Sequence, residues 1–180
     1  MSSVSVEEGS KCTDKLKSLT RLEGEKPSFN VYNVIMFWEE YKSLLEEILD
    51  VPPIKLELAT IKNKRAGFDG EKILMRSFDI TIDNLYSLAH EFYHYYQSKH
   101  MKNFDKQIKN YKDVGEMGYE DQLLEKQAFY FQDQIMMCVF GIQVEYNKEL
   151  PKSITDIPNK KIFDVSKKYN LKRYLIFLKS

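Results

Sequence analysis

The run His90-Glu91-Phe92-Tyr93-His94 constrains this chain more than any other stretch of it. Histidines four residues apart lie only about 40° apart around an α-helix, so both imidazoles can face one metal ion. These five residues therefore read as part of a helix. Glu91 falls slightly round the side, where its carboxylate stands beside a water on the metal and outside the ligand set. That is the position of a general base in metal-assisted hydrolysis. The whole chain has only three His in 180 residues, so this spacing with an intervening Glu is a rare accident. The surrounding segment NLYSLAHEFYHYYQSKHM supports the helix: Asp83 is the expected N-cap, and Leu85, Leu88, Ala89, Phe92 and Tyr96 form an apolar stripe.

Two histidines do not hold a catalytic zinc. A third protein ligand is needed, with the fourth position left for water. His100 stands at the spacing of the HExxHxxGxxH pattern, but Gln97 occupies the place of the helix-breaking Gly. If the helix continues, His100 lies about 240° round the axis from His94 and faces away. The favoured candidate is Glu125, at the start of EKQAFYFQDQIM, where Ala128 is small enough for two helices to approach closely. Glu116 and Glu120 are alternatives: the first sits in a Gly-flanked stretch, and the second is at a helix start, where the dipole favours an acid in any case.

The rest of the chain offers a frame for these helices. Residues 1–27 lack an apolar period and read as a flexible leader with a short helix around Asp14–Leu22; residues 28–180 read as one domain, with a helical tail over 151–180. Val34, Phe37, Trp38, Tyr41, Leu44, Leu45 and Ile48 recur at helical steps until Pro52-Pro53. IKLELATI alternates as a strand does, and Asp69-Gly70 suits a tight hairpin before Ile73–Met75. The expected fold class is α+β: a small, mostly antiparallel sheet packed on helices. Residues 101–118 are polar and read as surface chain with at most a short helix. Leu124, Ala128, Phe131, Ile135 and Met136 mark the next helix, ending near Gly141. Two short helical patterns follow, Ile162–Tyr169 and Leu171–Leu178.

Composition narrows the function. Hydrophobic residues make up 43% of the chain, enough for a core, while Lys+Arg and Asp+Glu both number 27. Zero formal net charge speaks against a protein that binds by neutralising many phosphates. The basic tail residues Lys160, Lys161, Lys167, Lys168, Lys172, Arg173 and Lys179 read as a solvated helix face. Cys12 and Cys138 are too few for a disulfide framework or a thiolate cage, which leaves His and carboxylate as metal ligands and suggests a reducing compartment. The N-terminus lacks a secretory pattern and no run approaches the ~20 apolar residues of a membrane helix, so the cytoplasm is the expected location.

Strand, Asp-Gly hairpin, helix with HEFYH, then a helix with Glu125-x-x-Ala128: this order resembles the ImmA/IrrE family of bacterial and phage metallopeptidases, which are compact gluzincins. In that family the helix after the loop typically reads E-x-x-A-N-x-F-A-x-x-L-L. Here Glu125, Ala128, Phe131, Ile135 and Met136 fit, while Phe129 stands for the usual Asn and Gln132 for the usual Ala. VSKKYNLKRYLIFL is similar to the helical tail after the peptidase core. The resemblance covers about residues 50–140. It implies a minimal gluzincin-like core and proteolysis of a DNA-binding repressor, often of the helix-turn-helix kind.

The leading expectation is a zinc-dependent endopeptidase. His90, His94 and Glu125 would hold Zn2+, which lowers the pKa of its water, and Glu91 would take that water's proton and pass it to the leaving amine. A set of two His and a carboxylate also accepts manganese or iron. The alternative is a metallopeptidase-fold module, weak or inactive as a catalyst, that sequesters a partner protein. In either case the partner is a protein or peptide, with neither nucleic acid nor membrane contacted directly. Tyr93, Tyr119 and Tyr130 are candidate donors to an oxyanion. Gln97 is a candidate for orienting His94, Cys138 reads as a buried apolar residue, and the Ile73–Arg76 strand is a candidate edge for adding a peptide strand.

Overall fold

The computed structural model describes residues 31–109, 111–112, 115–143 and 157–177; the leader and its expected short helix lie outside them. Helix α1 (Val31–Leu49) buries Phe37, Trp38, Tyr41, Leu44, Leu45 and Ile48, the face its periodicity marks. It ends before Pro52-Pro53, since proline has no N–H to continue the ladder. The Tyr41 hydroxyl donates to the Leu85 carbonyl at 3.0 Å and the Trp38 indole N–H to Phe78 O at 2.7 Å. Those two bonds pin α1 to the chain around the start of the central helix.

Three short strands follow, β1 (Lys55–Leu58), β2 (Ala66–Phe68) and β3 (Lys72–Met75), in the order β1-β3-β2. The β2–β3 pair is the expected antiparallel hairpin. Gly70 takes φ 100°, strained for any residue with a Cβ. The Asp69 carboxylate accepts the N–H groups of Glu71 and Lys72 at 3.0 and 2.9 Å, which holds the turn. Strand β1 lies parallel to β3, with Leu56 opposite Ile73, so the sheet is mixed. This places β3 in the centre, so the Ile73–Arg76 run, a candidate edge, is an interior strand. Alternation in a sequence marks which face is buried and leaves the neighbour and its direction open. Burial agrees: Ile73 and Met75 are 0% exposed, whereas Leu58, at the end of β1, is 60% exposed.

Helix α2 (Ile82–His100) carries the HEFYH run. Its N-cap is Thr81, whose hydroxyl accepts the Asn84 N–H at 3.2 Å. Asp83, expected in that role, sits in the first turn instead and pairs with Arg65. Beyond a short helix α3 (Phe104–Ile108) comes α4 (Leu123–Ile135), which runs into a π turn, Met136–Phe140. Gly141, at φ 72°, ends it by donating to the carbonyls of Met136 and Met137. Helix α2 contacts β2 and β3 on one side and α4 on another, which is why its buried set, from Asn84 to Gln97, exceeds one stripe.

Helix α5 (Asn159–Ser166) and the 3-10 segment Leu171–Phe177 close over α1 through Ile162, Val165, Leu171 and Tyr174. Several tail cations are paired: Lys160 and Lys167 with Asp164, Lys168 with Glu47, and Arg173 with Glu40. The architecture is the expected α+β class, helices around a small open sheet. Among the described residues no helix is long and apolar enough to cross a membrane.

Asp133, half-buried on α4, supplies a test of this packing. Burial raises its carboxyl to about 6, against a hydrogen bond from Gln132 that lowers it. A carboxyl raised on folding contributes stability that is full below its unfolded pKa of about 3.9 and is lost as pH rises through about 6. Asp133→Asn is expected to raise stability at neutral pH by on the order of 1 kcal/mol and to have little effect near pH 4. Urea unfolding at the two pH values checks this, and an equal effect at both would contradict it.

Candidate metal centre

One face of α2 meets the first turn of α4, and there the two histidines of HEFYH meet Glu125. Ala128, fully buried, lets the helices approach, and Glu125 beside it is 0% exposed. His90 Nε2 and His94 Nε2 lie 3.0 Å apart. Each is 3.1 Å from an oxygen of Glu125, His90 from Oε2 and His94 from Oε1. Ligands about 2.0–2.1 Å from a tetrahedral zinc are separated by roughly 3.3 Å, so the trio already has nearly the dimensions of one face of that tetrahedron. Among the described residues these three are the His, Cys, Asp and Glu group whose ligand atoms converge, all within 4.8 Å.

Protons on the far side of each ring fix what faces the centre. His94 Nδ1 lies 2.8 Å from Gln97 Oε1, which can only accept, so Nδ1 carries the proton. The amide of Gln97 is itself oriented, because its Nε2 donates to Leu124 O at 3.0 Å and to Gln127 Oε1 at 2.9 Å. His90 Nδ1 stands 3.2 Å from Gln132 Oε1, and the amide N–H of Gln132 is taken by Asp133. Both Nε2 lone pairs therefore point at each other and at a carboxylate. Glu125 Oε2 makes no hydrogen bond despite its full burial. Two imidazole lone pairs facing a buried carboxylate oxygen that has no donor of its own are repulsive unless a cation lies among them, and the donor set of two imidazoles and one carboxylate is that of zinc.

Titration behaviour agrees. Burial opposes the Glu125 charge, but its contacts with His90 and His94 prevail and hold the carboxyl down at about 2. Burial likewise lowers His94, yet Glu125 and the charge of Glu91 outweigh it and leave the imidazole raised. A proton can occupy part of the place made for a metal.

A cleft of about 790 Å³ opens beside the trio, walled by β2, α2, α4 and the chain around Tyr111 and Tyr119. Glu91 lines it, half-buried, and its Oε2 accepts the Phe68 N–H at 2.9 Å. The edge of the sheet on this side is β2. Its bonds to β3 use Arg65, Gly67 and Asp69, so the backbone groups of Ala66 and Phe68 point away from the sheet. Phe129 lays its ring against His90 with centroids 4.7 Å apart.

The other sequence candidates fall outside the trio. His100 ends an unbroken α2, exposed, with its ring against Tyr96. Glu116 and Glu120 are exposed, and only Glu120 lines the cleft. Tyr93 faces the core against Phe131, and Tyr119 reaches the cleft, as Tyr130 does not. Cys138 is half-buried and its thiol is raised by burial, the behaviour of a packing residue. Sequence reasoning missed Gln132 and Tyr111, whose hydroxyl donates to Glu125 Oε1. Gln132 had a signal, since it lies seven residues after Glu125 on the same helix face. Tyr111 had none, because the chain around it has no period.

A buried His-His-Glu centre with HExxH spacing, set in a small helix-rich α+β frame, defines a zinc metallopeptidase site with a gluzincin-like core. No family model, curated protein or solved structure matches the chain.

Because His94 is raised, protons compete with the metal. Zinc affinity is expected to climb as pH rises through the imidazole range, about pH 5 to 8, while Glu125 stays ionised throughout. Competition against a chelator of known affinity measures this, and a flat profile would contradict it. Because the ligands come from two helices, zinc should also raise the thermal midpoint of the metal-free chain.

Proposed function

We propose that this chain is a zinc-dependent endopeptidase acting on a protein substrate, with His90, His94 and Glu125 as metal ligands and Glu91 as general base. The observation that carries the reading is the position of Glu91, in the cleft wall one residue from His90 and anchored by the Phe68 N–H. When bound, Zn2+ supplies a Lewis acid that polarises the scissile carbonyl and brings the pKa of water towards neutrality. Glu91 accepts the proton of the attacking water and delivers it to the leaving amine. The bond from Phe68 occupies Oε2 and leaves Oε1 for that proton.

Substrate seating follows from the sheet. The outward N–H and carbonyl of Ala66 and the carbonyl of Phe68, whose N–H is held by Glu91, offer an extended peptide a short edge for strand addition, beside the base. The ImmA/IrrE resemblance suggests a DNA-binding repressor of the helix-turn-helix kind as substrate, and cysteine usage suggests the cytoplasm. Balanced charge and the ion-paired tail support a protein rather than a nucleic acid as the direct partner.

Glu91→Gln keeps size and shape and removes the base. The variant is expected to bind zinc as the wild type does and to cleave about 10²–10⁴ times more slowly. Zinc content and cleavage of an unstructured protein substrate, followed by mass spectrometry, test both halves. Equal cleavage by the two proteins would sink the reading. Loss of repressor activity on stoichiometric addition of the variant, with no cleavage, would favour the sequestering module.

A further inference from the structure

We propose that Tyr111 is a positioning residue of the metal centre, holding Glu125 so that the carboxylate meets the metal through one oxygen only. The inference rests on the zinc-site reading above and concerns a residue outside the ligand set.

The two oxygens of Glu125 are not equivalent. Each lies 3.1 Å from one imidazole Nε2, but Oε1 accepts the hydroxyl proton of Tyr111 while Oε2 has no hydrogen bond. A buried carboxylate with one oxygen engaged and the other bare presents the bare one to a cation. Tyr111 therefore selects Oε2 as the ligand atom, and a one-oxygen carboxylate keeps the coordination number low, leaving room for water and a substrate carbonyl.

A second device keeps Tyr111 in place. The next residue, Lys112, is gripped in both directions by one side-chain amide: its N–H donates to Gln122 Oε1 at 2.8 Å, and its carbonyl accepts from Gln122 Nε2 at 3.1 Å. Gln122 caps α4 and stands three residues before Glu125, so the clamp ties Tyr111 to the helix that carries the carboxylate. Tyr119 packs edge-on against the Tyr111 ring at 6.2 Å, and both rings line the cleft. The Tyr111 hydroxyl makes its hydrogen bond to Glu125 and to neither imidazole, which fits a partner of the ligand and not a ligand itself.

The test compares wild type, Tyr111→Phe and Gln122→Ala as full-length chains. Chelator competition measures zinc affinity, the visible spectrum of the cobalt-substituted protein reports coordination number, and thermal melts of the metal-free chains monitor folding. Tyr111→Phe is expected to bind zinc about 10–100 times more weakly, with a weaker and shifted cobalt spectrum as the freed carboxylate becomes bidentate, and with an almost unchanged metal-free melt. Gln122→Ala should move affinity and spectrum in the same direction by a smaller factor. Unchanged affinity and spectrum in Tyr111→Phe would overturn the proposal. So would a phenolate-to-metal charge-transfer band in copper-loaded wild type that Tyr111→Phe lacks, because that would make Tyr111 a direct ligand. A wild type that binds no zinc would instead defeat the metal-site reading itself, a distinct result.

Discussion

A carboxylate removed entirely from water must be neutralised where it stands, and the packing of α2 on α4 is organised around that demand at Glu125. The helix pair brings the charge to two imidazoles whose lone pairs also converge there. Neither helix can supply the site alone. His90 and His94 share a face by local geometry, but the third member arrives only when α4 docks, and Ala128 at the contact sets how near it comes. The sheet lies on another side of α2 and contributes through Phe68, which fixes the direction of Glu91. The trio and Glu91 are thus held from two faces of one helix.

Local chemistry made much of this legible. The HEFYH helix, the α4 helix with Glu125 and Ala128, the Asp-Gly hairpin and the stop at Gly141 all follow from rules acting over a few residues. What escaped depends on partners distant in the chain. The parallel seat of β1 beside β3 leaves no mark in either strand, since alternation is blind to direction, and so β3 could be taken for an edge. Thr81 displaced Asp83 as cap because both are good caps two positions apart, and the chain preceding α2 decides between them. Tyr111 sits where the sequence has no period to interpret, and its role comes entirely from the Gln122 clamp and the docking of α4.

Phe129 and Gln132 have a coherent physical reading. Phe129 offers His90 an apolar face, and Gln132, one turn on, provides the acceptor for its Nδ1 proton. Packing and hydrogen bonding to the same imidazole are divided between two residues.

The two glutamines that orient the imidazoles differ in how firmly they are themselves held. Gln97 is 2% exposed and makes three hydrogen bonds, two of them to α4, so His94 is fixed to the helix pair as a whole. Gln132 is half-buried and holds His90 by one longer bond of 3.2 Å, with Phe129 against the ring at the cleft wall. One imidazole is accordingly tied to both helices of the pair, whereas the other is backed by a single acceptor and an aromatic ring, both from α4.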